Sequence, residues 1–319
     1  MDMTSRVFHL IAYFALCFLL VQAKKGKIPR SSIKKVLVDI SGHGDYVRIQ
    51  DAINAVPSGN SRRVYITVRP GVYKEKIVVS KDKRYITLSG VNENNTIVTW
   101  SDGGDIYQSP TFTVFAPDFV ARRLTIENKH GRGEKSVALR VSADRVAFYA
   151  CRILGYQDTL LDDRGRHYYK NCLIEGATDF ICGNGASTFE KCHLHSVSSG
   201  KGAITAHHRT SPSEDTGFTF VNCTITGGKM ALLGRPWGPY ARVIFAKTYM
   251  SGGISPQGWG DWGEPSRQRT AYFGEFANYG PGAKTSGRVS WTKTLSRNQV
   301  EPYLRLEKRF NWLKKSDAE

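Results

Sequence analysis

The sequence has no long apolar run beyond its first two dozen residues, no Cys-x-x-Cys pair, and no amphipathic helix of ten or more residues between its β-rich segments. Each absence excludes something. Without a later run of roughly 20 apolar residues, no segment after the N-terminus crosses a bilayer as a helix. Without closely spaced cysteines, a zinc site is a poor reading. Without intervening helices, a βαβ fold lacks its crossovers. Acidic residues are in short supply as well: 28 Asp and Glu stand against 45 Lys and Arg, a formal net charge of +17 over 319 residues. That balance favours a polyanionic partner, and nucleic acid, acidic polysaccharide and anionic lipid all qualify.

The N-terminus reads as a secretory signal. Arg6 supplies a charged start, Val7 to Val21 is nearly all apolar, and Val21-Gln22-Ala23 offers a small-residue cleavage site before Lys24. The expected division is therefore a signal peptide over 1–23 and one domain over 24–319, with no linker between. A secreted destination demotes nucleic acid, and no membrane association is expected of the mature chain. Of six cysteines, Cys17 lies in the signal, leaving Cys151, Cys172, Cys182, Cys192 and Cys223. An odd number leaves at least one thiol free or paired elsewhere. Asn94-Asn95-Thr96 and Asn222-Cys223-Thr224 read as glycosylation acceptors, although the second falls inside a predicted strand, which counts against its exposure.

The informative presence is an internal repeat. Phe148, Tyr169, Phe189 and Phe220 are each followed three residues later by cysteine and then by an aliphatic; Phe245 continues the series with Thr248 in the cysteine position, and Phe119 is aligned as an earlier unit. From Phe148 onward the aromatics are 21, 20, 31 and 25 residues apart, about one short solenoid coil. Each unit is a β-rich run bounded by Gly, Asn or Asp. The expected fold is all-β, a right-handed single-stranded parallel β-helix in which equivalent residues stack about 4.8 Å apart. A short helix with Ile49, Ala52, Ile53 and Val56 on one face, capped by Asp45 and stopped by Pro57, is expected to cover the N-terminal end, where open strand edges need protection. Ser296 to Leu304 is a weaker helix candidate, and Ser251 to Gly263 reads as a long loop.

The repeat makes a geometric prediction about carboxylates. Asp158 follows Cys151 by seven residues and Asp179 follows Cys172 by seven, so one coil separates them and they should stack. Two carboxylates that close cannot both ionise cheaply, so their pKa values should split into an acid and a nucleophile. Turn chemistry alone also places Asp in solenoid corners. The company tips the balance: Gln157 offers a neutral amide donor for an oxyanion, and Phe180 an apolar neighbour that favours an uncharged acid nearby. His193 with His195, and His207 with His208, lack an acidic third ligand and read as solvated or stacked rather than metal-binding; Cys182 reads as a small core filler.

These residues fall in blocks that resemble a known family. Gly155-Tyr156-Gln157-Asp158-Thr159-Leu160, Asp179-Phe180-Ile181-Cys182-Gly183-Asn184, Leu233-Gly234-Arg235-Pro236-Trp237 and Gly71-Val72-Tyr73-Lys74-Glu75 are similar to the signature blocks of plant-type pectin methylesterases, in the same order, from about Lys35 to Leu304. The resemblance implies a cell-wall carboxylic ester hydrolase that removes methyl esters from homogalacturonan and releases methanol, without cofactor or metal. It implies Asp179 as nucleophile, Asp158 as general acid and then base, Gln157 as oxyanion donor, and Arg235 as the guanidinium that orients Asp179. Trp237 and Trp259 match cleft aromatics, and Lys135, Tyr156 and Phe180 fall at substrate-binding positions. A monomer without the inhibitor-like N-terminal region of longer family members is expected, with a separate proteinaceous inhibitor as a further partner. One departure stands out: Lys135 replaces an oxyanion glutamine of the family. That replacement keeps open a catalytically weak pectin-binding or signalling protein, and it leads to the expectation that Lys135→Gln raises methanol release. Pairing of Cys151 with Cys172 and of Cys192 with Cys223 is suggested by their stacking in adjacent coils.

Overall fold

The computed structural model describes residues 35–200, 202–305 and 310–313. The expected signal peptide lies outside the described residues. From Lys35 onward the strands form three sheets of eleven, eight and seven members, and every strand pairing is parallel. From Val64 to Met250 successive strands join the three sheets in turn, so one coil contributes one strand to each. The coil around the site shows the pattern: Val146–Tyr149 joins the first sheet, Arg152–Leu154 the second and Leu160–Arg164 the third, before Arg166–Lys170 returns to the first. The fold is thus the parallel β-helix that the repeat predicts.

The core is a column of side chains in register. Phe148, Tyr169, Phe189, Phe220 and Phe245 face inward on successive strands of the first sheet. Their rings stack in sequence, with centroids 5.2, 4.6, 4.5 and 4.4 Å apart. Offset stacking of this kind adds about 0.5–1.5 kcal/mol per pair beyond burial. The earlier unit is misaligned in the sequence reading: Phe148 pairs with Ala121, not Phe119, which lies two residues off the column. At that coil the alanine holds the register and Phe119 packs obliquely on Phe112 and Phe148.

The cysteines form a second column at the corner between the first and second sheets. Cys151, Cys172, Cys192 and Cys223 are buried and all are free thiols, which corrects the suggested disulfides. Register explains it. Parallel in-register residues point the same way, so their Cβ atoms keep roughly the 4.8 Å strand spacing instead of converging to the 3.8 Å typical of a disulfide. The Cys172, Cys192 and Cys223 thiols lie 3.5, 3.5 and 3.3 Å from the carbonyls of Phe148, Tyr169 and Phe189 in the coil before. The residue before each cysteine, namely Ala150, Asn171, Lys191 or Asn222, has φ near 50° and turns the chain in the left-handed region. Asn222 is therefore an exposed corner residue rather than part of a strand, and Asn94 is exposed as well.

Both ends are closed. The helix Ile49–Ala55 covers the first coil with Ile49, Ala52 and Ile53 buried. Its cap is not Asp45, whose carboxylate accepts from the Leu37 amide. Glu75 reaches from 25 residues away to accept from the Ile49 and Gln50 amides at 2.9 and 3.1 Å, satisfying two of the orphan donors of the first turn. At the other end, Ser296 starts the helix Arg297–Leu304, with the Gln299 side chain accepting from the Ser296 amide at 2.8 Å. Pro302 lies within its last turn.

Candidate active site

Asp158 and Asp179 occupy equivalent corners between the second and third sheets. Gln157 bridges Thr178 in parallel, and the Asp158 amide donates to the Thr178 carbonyl at 3.1 Å, so the two aspartates stand one coil apart in register. Both have left-handed backbones, with φ 59° and 48°. Glycines 21 residues apart, Gly155 and Gly176, precede them; a Cβ on Gly176 would lie 2.3 Å from that of Phe180, so the corner closes only over hydrogen.

The left-handed kink decides which way each side chain faces. Asp179 is directed to the cleft and is 4% exposed, whereas the next residue, Phe180, is fully buried in the interior. Phe180 thus packs the core and does not line a substrate surface, which corrects the expectation. Arg235 approaches from the third sheet, where it stands in register with Ala206, Cys182 and Leu161 of successive coils. Its Nε and Nη2 donate to the two carboxylate oxygens of Asp179 at 2.8 and 2.5 Å. This bidentate fork fixes the carboxylate in plane.

Electrostatics separate the pair. Burial and the neighbouring charge of Asp179 push the Asp158 carboxyl up to about 7, against the opposing pull of Lys135 and Arg235. Burial also raises Asp179, but there the guanidinium hydrogen bonds and charge act directly against it. Only Asp179 is bonded to the cation, so the first proton taken up by the pair resides on Asp158. The Cys182 thiol, buried and facing both acids, is pushed up and stays protonated. It is a small apolar filler as expected, but of the cleft floor: Val137, Leu161, Cys182 and Ala206 form one buried cluster beneath Ile106, Trp237 and Trp262.

Trp237 is therefore at the cleft, with the His208 ring 4.2 Å from its own. Trp259 is not. It is fully buried, stacks on Phe273 at 4.4 Å, and donates its indole N–H to Glu275 at 3.1 Å, so it extends the inner aromatic column. The cleft tryptophan missing from the sequence reading is Trp262, whose ring lies 4.0 Å from the Arg235 guanidinium. Its signal was the second Trp of Gly258-Trp259-Gly260-Asp261-Trp262. Tyr156 and Gln157 are half-buried beside Asp158, and Lys135 is exposed. His193 and His195 share one outer face, each bonded to the Thr226 hydroxyl, at 2.6 and 2.8 Å. Among the described residues no group of three His, Cys, Asp or Glu side chains is placed to hold a metal, and no helix is long and apolar enough to cross a membrane.

One further constellation mimics a hydrolase triad. Asp162, His167 and Ser187 are all fully buried, with Asp162 accepting from His167, Tyr169 and Ser187 at 3.0, 2.8 and 2.7 Å. The other imidazole nitrogen of His167 bonds the Ala143 carbonyl at 2.7 Å. Both ring nitrogens therefore donate to acceptors, and the network is a sealed ion pair inside the solenoid with no path for a substrate.

Fold and site together define a class: a parallel β-helix with an aspartate pair, one member clamped by arginine, beside the half-buried tryptophans Trp237 and Trp262. Within that class the chain belongs to the pectinesterase family, whose model, described as Pectinesterase, matches residues 35–305. It is 43% identical over 287 residues to Pectinesterase QRT1 of Arabidopsis thaliana, covering 84% of this chain and 75% of that protein. The pectin methylesterase from carrot is similar in structure, with a TM-score of 0.79 at 32% identity over 88% of this chain and 98% of that one. A pectin methylesterase solved in complex with a hexasaccharide gives a TM-score of 0.75 at 25% identity, covering 89% and 99% of the two chains.

Proposed function

We propose that this protein hydrolyses methyl esters of homogalacturonan outside the cell, with Asp179 as nucleophile and Asp158 as acid and base. The observation that carries the reading is the asymmetric pair: Arg235 holds Asp179 by two hydrogen bonds, while Asp158, one coil away, retains its proton near neutrality. An Asp179 oxygen attacks the ester carbonyl carbon, and the Gln157 amide donates to the developing oxyanion. Asp158 gives its proton to the departing methoxide, releasing methanol and leaving an acyl-enzyme anhydride. Asp158, now ionised, takes a proton from water as the water attacks the acyl carbon. The acyl carbon expels the Asp179 carboxylate, Asp158 is protonated again, and the galacturonic acid formed sheds its proton to solvent.

The hydrophobic N-terminus as a signal over 1–23, a single domain over 24–319, a monomeric state and a proteinaceous inhibitor seated over the cleft accompany this reading. Lys135 does not replace the machinery, since its charge reaches Asp158 and leaves the Asp179–Arg235 clamp intact. Methanol release from methylated pectin tests the assignment. Asp179→Asn, which keeps the side-chain shape, is expected to lose at least about a thousandfold in rate. Retention of wild-type turnover in that variant would end the proposal.

A further inference from the structure

Beyond the second sheet from the aspartate pair, at its corner with the first, the chain turns through Arg123, Ala150, Asn171, Lys191, Asn222 and Lys247 in successive coils, each with φ between 48° and 54°. Their amides donate to the carbonyls of Tyr149, Lys170, Glu190, Val221, Ala246 and Phe276 at 2.8–3.1 Å. Each corner is thereby fastened to the coil after it, and the six side chains form one ladder. All of them except Ala150 are exposed. At about 4.8 Å per coil, Arg123, Lys191 and Lys247 follow one another at intervals of about 14 and 10 Å along a single edge of the solenoid.

Ladders on either side widen this edge into a strip. The outward residues that flank the corner, from Arg122 to Ala246 on the first sheet and from Thr125 to Tyr249 on the second, run in register with it. Across the three ladders the basic residues are Arg122, Arg123, Arg152, Lys170, Lys191 and Lys247, and the acidic residue is Glu190, which pairs with Lys170 at 3.7 Å. Arg122 lies 5.8 Å from the Tyr149 ring, and Arg152 donates to the Asn94 side chain at 2.8 Å. Arg123, Lys191 and Lys247 make no ion pair among the described residues and stand in solvent. Like charges held at a fixed pitch repel one another, and a polyanion laid along them relieves that repulsion.

We propose that this corner strip is a second polymer-binding surface, separate from the cleft, which takes a run of free carboxylates on unesterified homogalacturonan. The choice of polyanion rests on the esterase reading, since that polymer is what the reaction produces. The match is between two linear arrays: the solenoid presents cations at multiples of one coil pitch, and the extended polymer carries one carboxylate on every sugar. A chain laid along the corner leaves the aspartate pair, on the far side of the second sheet, open to a methylated stretch. The enzyme is thereby held on wall polymer by a surface that performs no chemistry.

The test uses the full chain, made without N-glycans because Asn222 heads an acceptor sequence inside the ladder. Calorimetry at low salt measures binding of unesterified polygalacturonate to wild type, to an Arg123→Gln, Lys191→Gln, Lys247→Gln variant, and to a control, Arg62→Gln, Lys81→Gln, Lys284→Gln, that removes the same charge from exposed positions elsewhere. The strip variant should bind at least about fivefold more weakly, the scale of three exposed charge contacts, and the control within about twofold of wild type. An Arg123→Lys, Lys191→Arg, Lys247→Arg variant, which keeps the charges, should bind as wild type does. Methanol release from methylated hexagalacturonate, which reports the cleft and the fold, should be the same in all four proteins. Equal weakening in the two glutamine variants, or none in the strip variant, would overturn the proposal, as would loss of methanol release from the strip variant alone. Phosphatidylserine vesicles are the competing ligand: strip-dependent binding tighter to them than to polygalacturonate would assign the surface to a membrane and overturn the proposal too. Absence of methanol from wild type would instead sink the esterase reading, and the binding comparison would then decide the strip by itself.

Discussion

At the level of single residues the decisive contrast is between two aspartates that share a backbone conformation and differ in one partner. Burial raises both carboxyls, but the guanidinium is hydrogen-bonded to Asp179 and reaches Asp158 only through its charge, so the repulsion within the pair is borne by Asp158. The sign of the resulting pH dependence follows. Asp158 serves the first step only in its protonated form, so kcat/KM for methylated substrate should fall as pH rises through about 7. Lys135 holds that carboxyl down, so Lys135→Gln should move the alkaline limb to higher pH. Steady-state rates from pH 5 to 9 check both, and a limb that stays in place in the variant would remove Lys135 from the electrostatics of the acid. This pairing was legible in the sequence because a parallel coil converts a spacing of 21 into contact. The facing of Phe180 and Trp259 was not legible. A left-handed kink at Asp179 resets the alternation of sides, and residue identity does not reveal on which side of a loop an indole settles.

At the level of elements, the thiol column separates what a repeat predicts from what it does not. The repeat locates Cys151, Cys172, Cys192 and Cys223 above one another, and the structure agrees. It does not announce the direction of the Cβ vectors, which decides against disulfides. Native protein should therefore react with a thiol reagent slowly or not at all, and in denaturant the described cysteines should titrate as five free thiols without prior reduction. Reductant should leave the melting temperature unchanged. A reductant-dependent shift of several degrees would contradict the column of free thiols. The helix caps teach a similar lesson. The Ser296–Gln299 contact is local and can be read from neighbouring residues, whereas Glu75 caps Ile49 from a link between two later strands and no local pattern reveals it.

For the whole molecule, charge and architecture act together. A chain of formal charge +17 should be retained on immobilised polygalacturonate, and retention should drop steeply between 0.05 and 0.5 M salt as the screening length shrinks from about 14 to about 4 Å. Retention indifferent to ionic strength would mean that contacts other than charge hold the polymer. The same architecture sets the distance between the two acids. The bridge from Gln157 to Thr178 and the amide of Asp158 on the Thr178 carbonyl pin one corner onto the next, between strands that are paired on either side, which holds the carboxylates from drifting apart. Repulsion between them has one remaining outlet, the capture of a proton. The solenoid thereby acts as a fixed ruler whose graduation is the interstrand hydrogen bond, and a catalyst for acid–base work follows from any coil pitch that the backbone refuses to stretch.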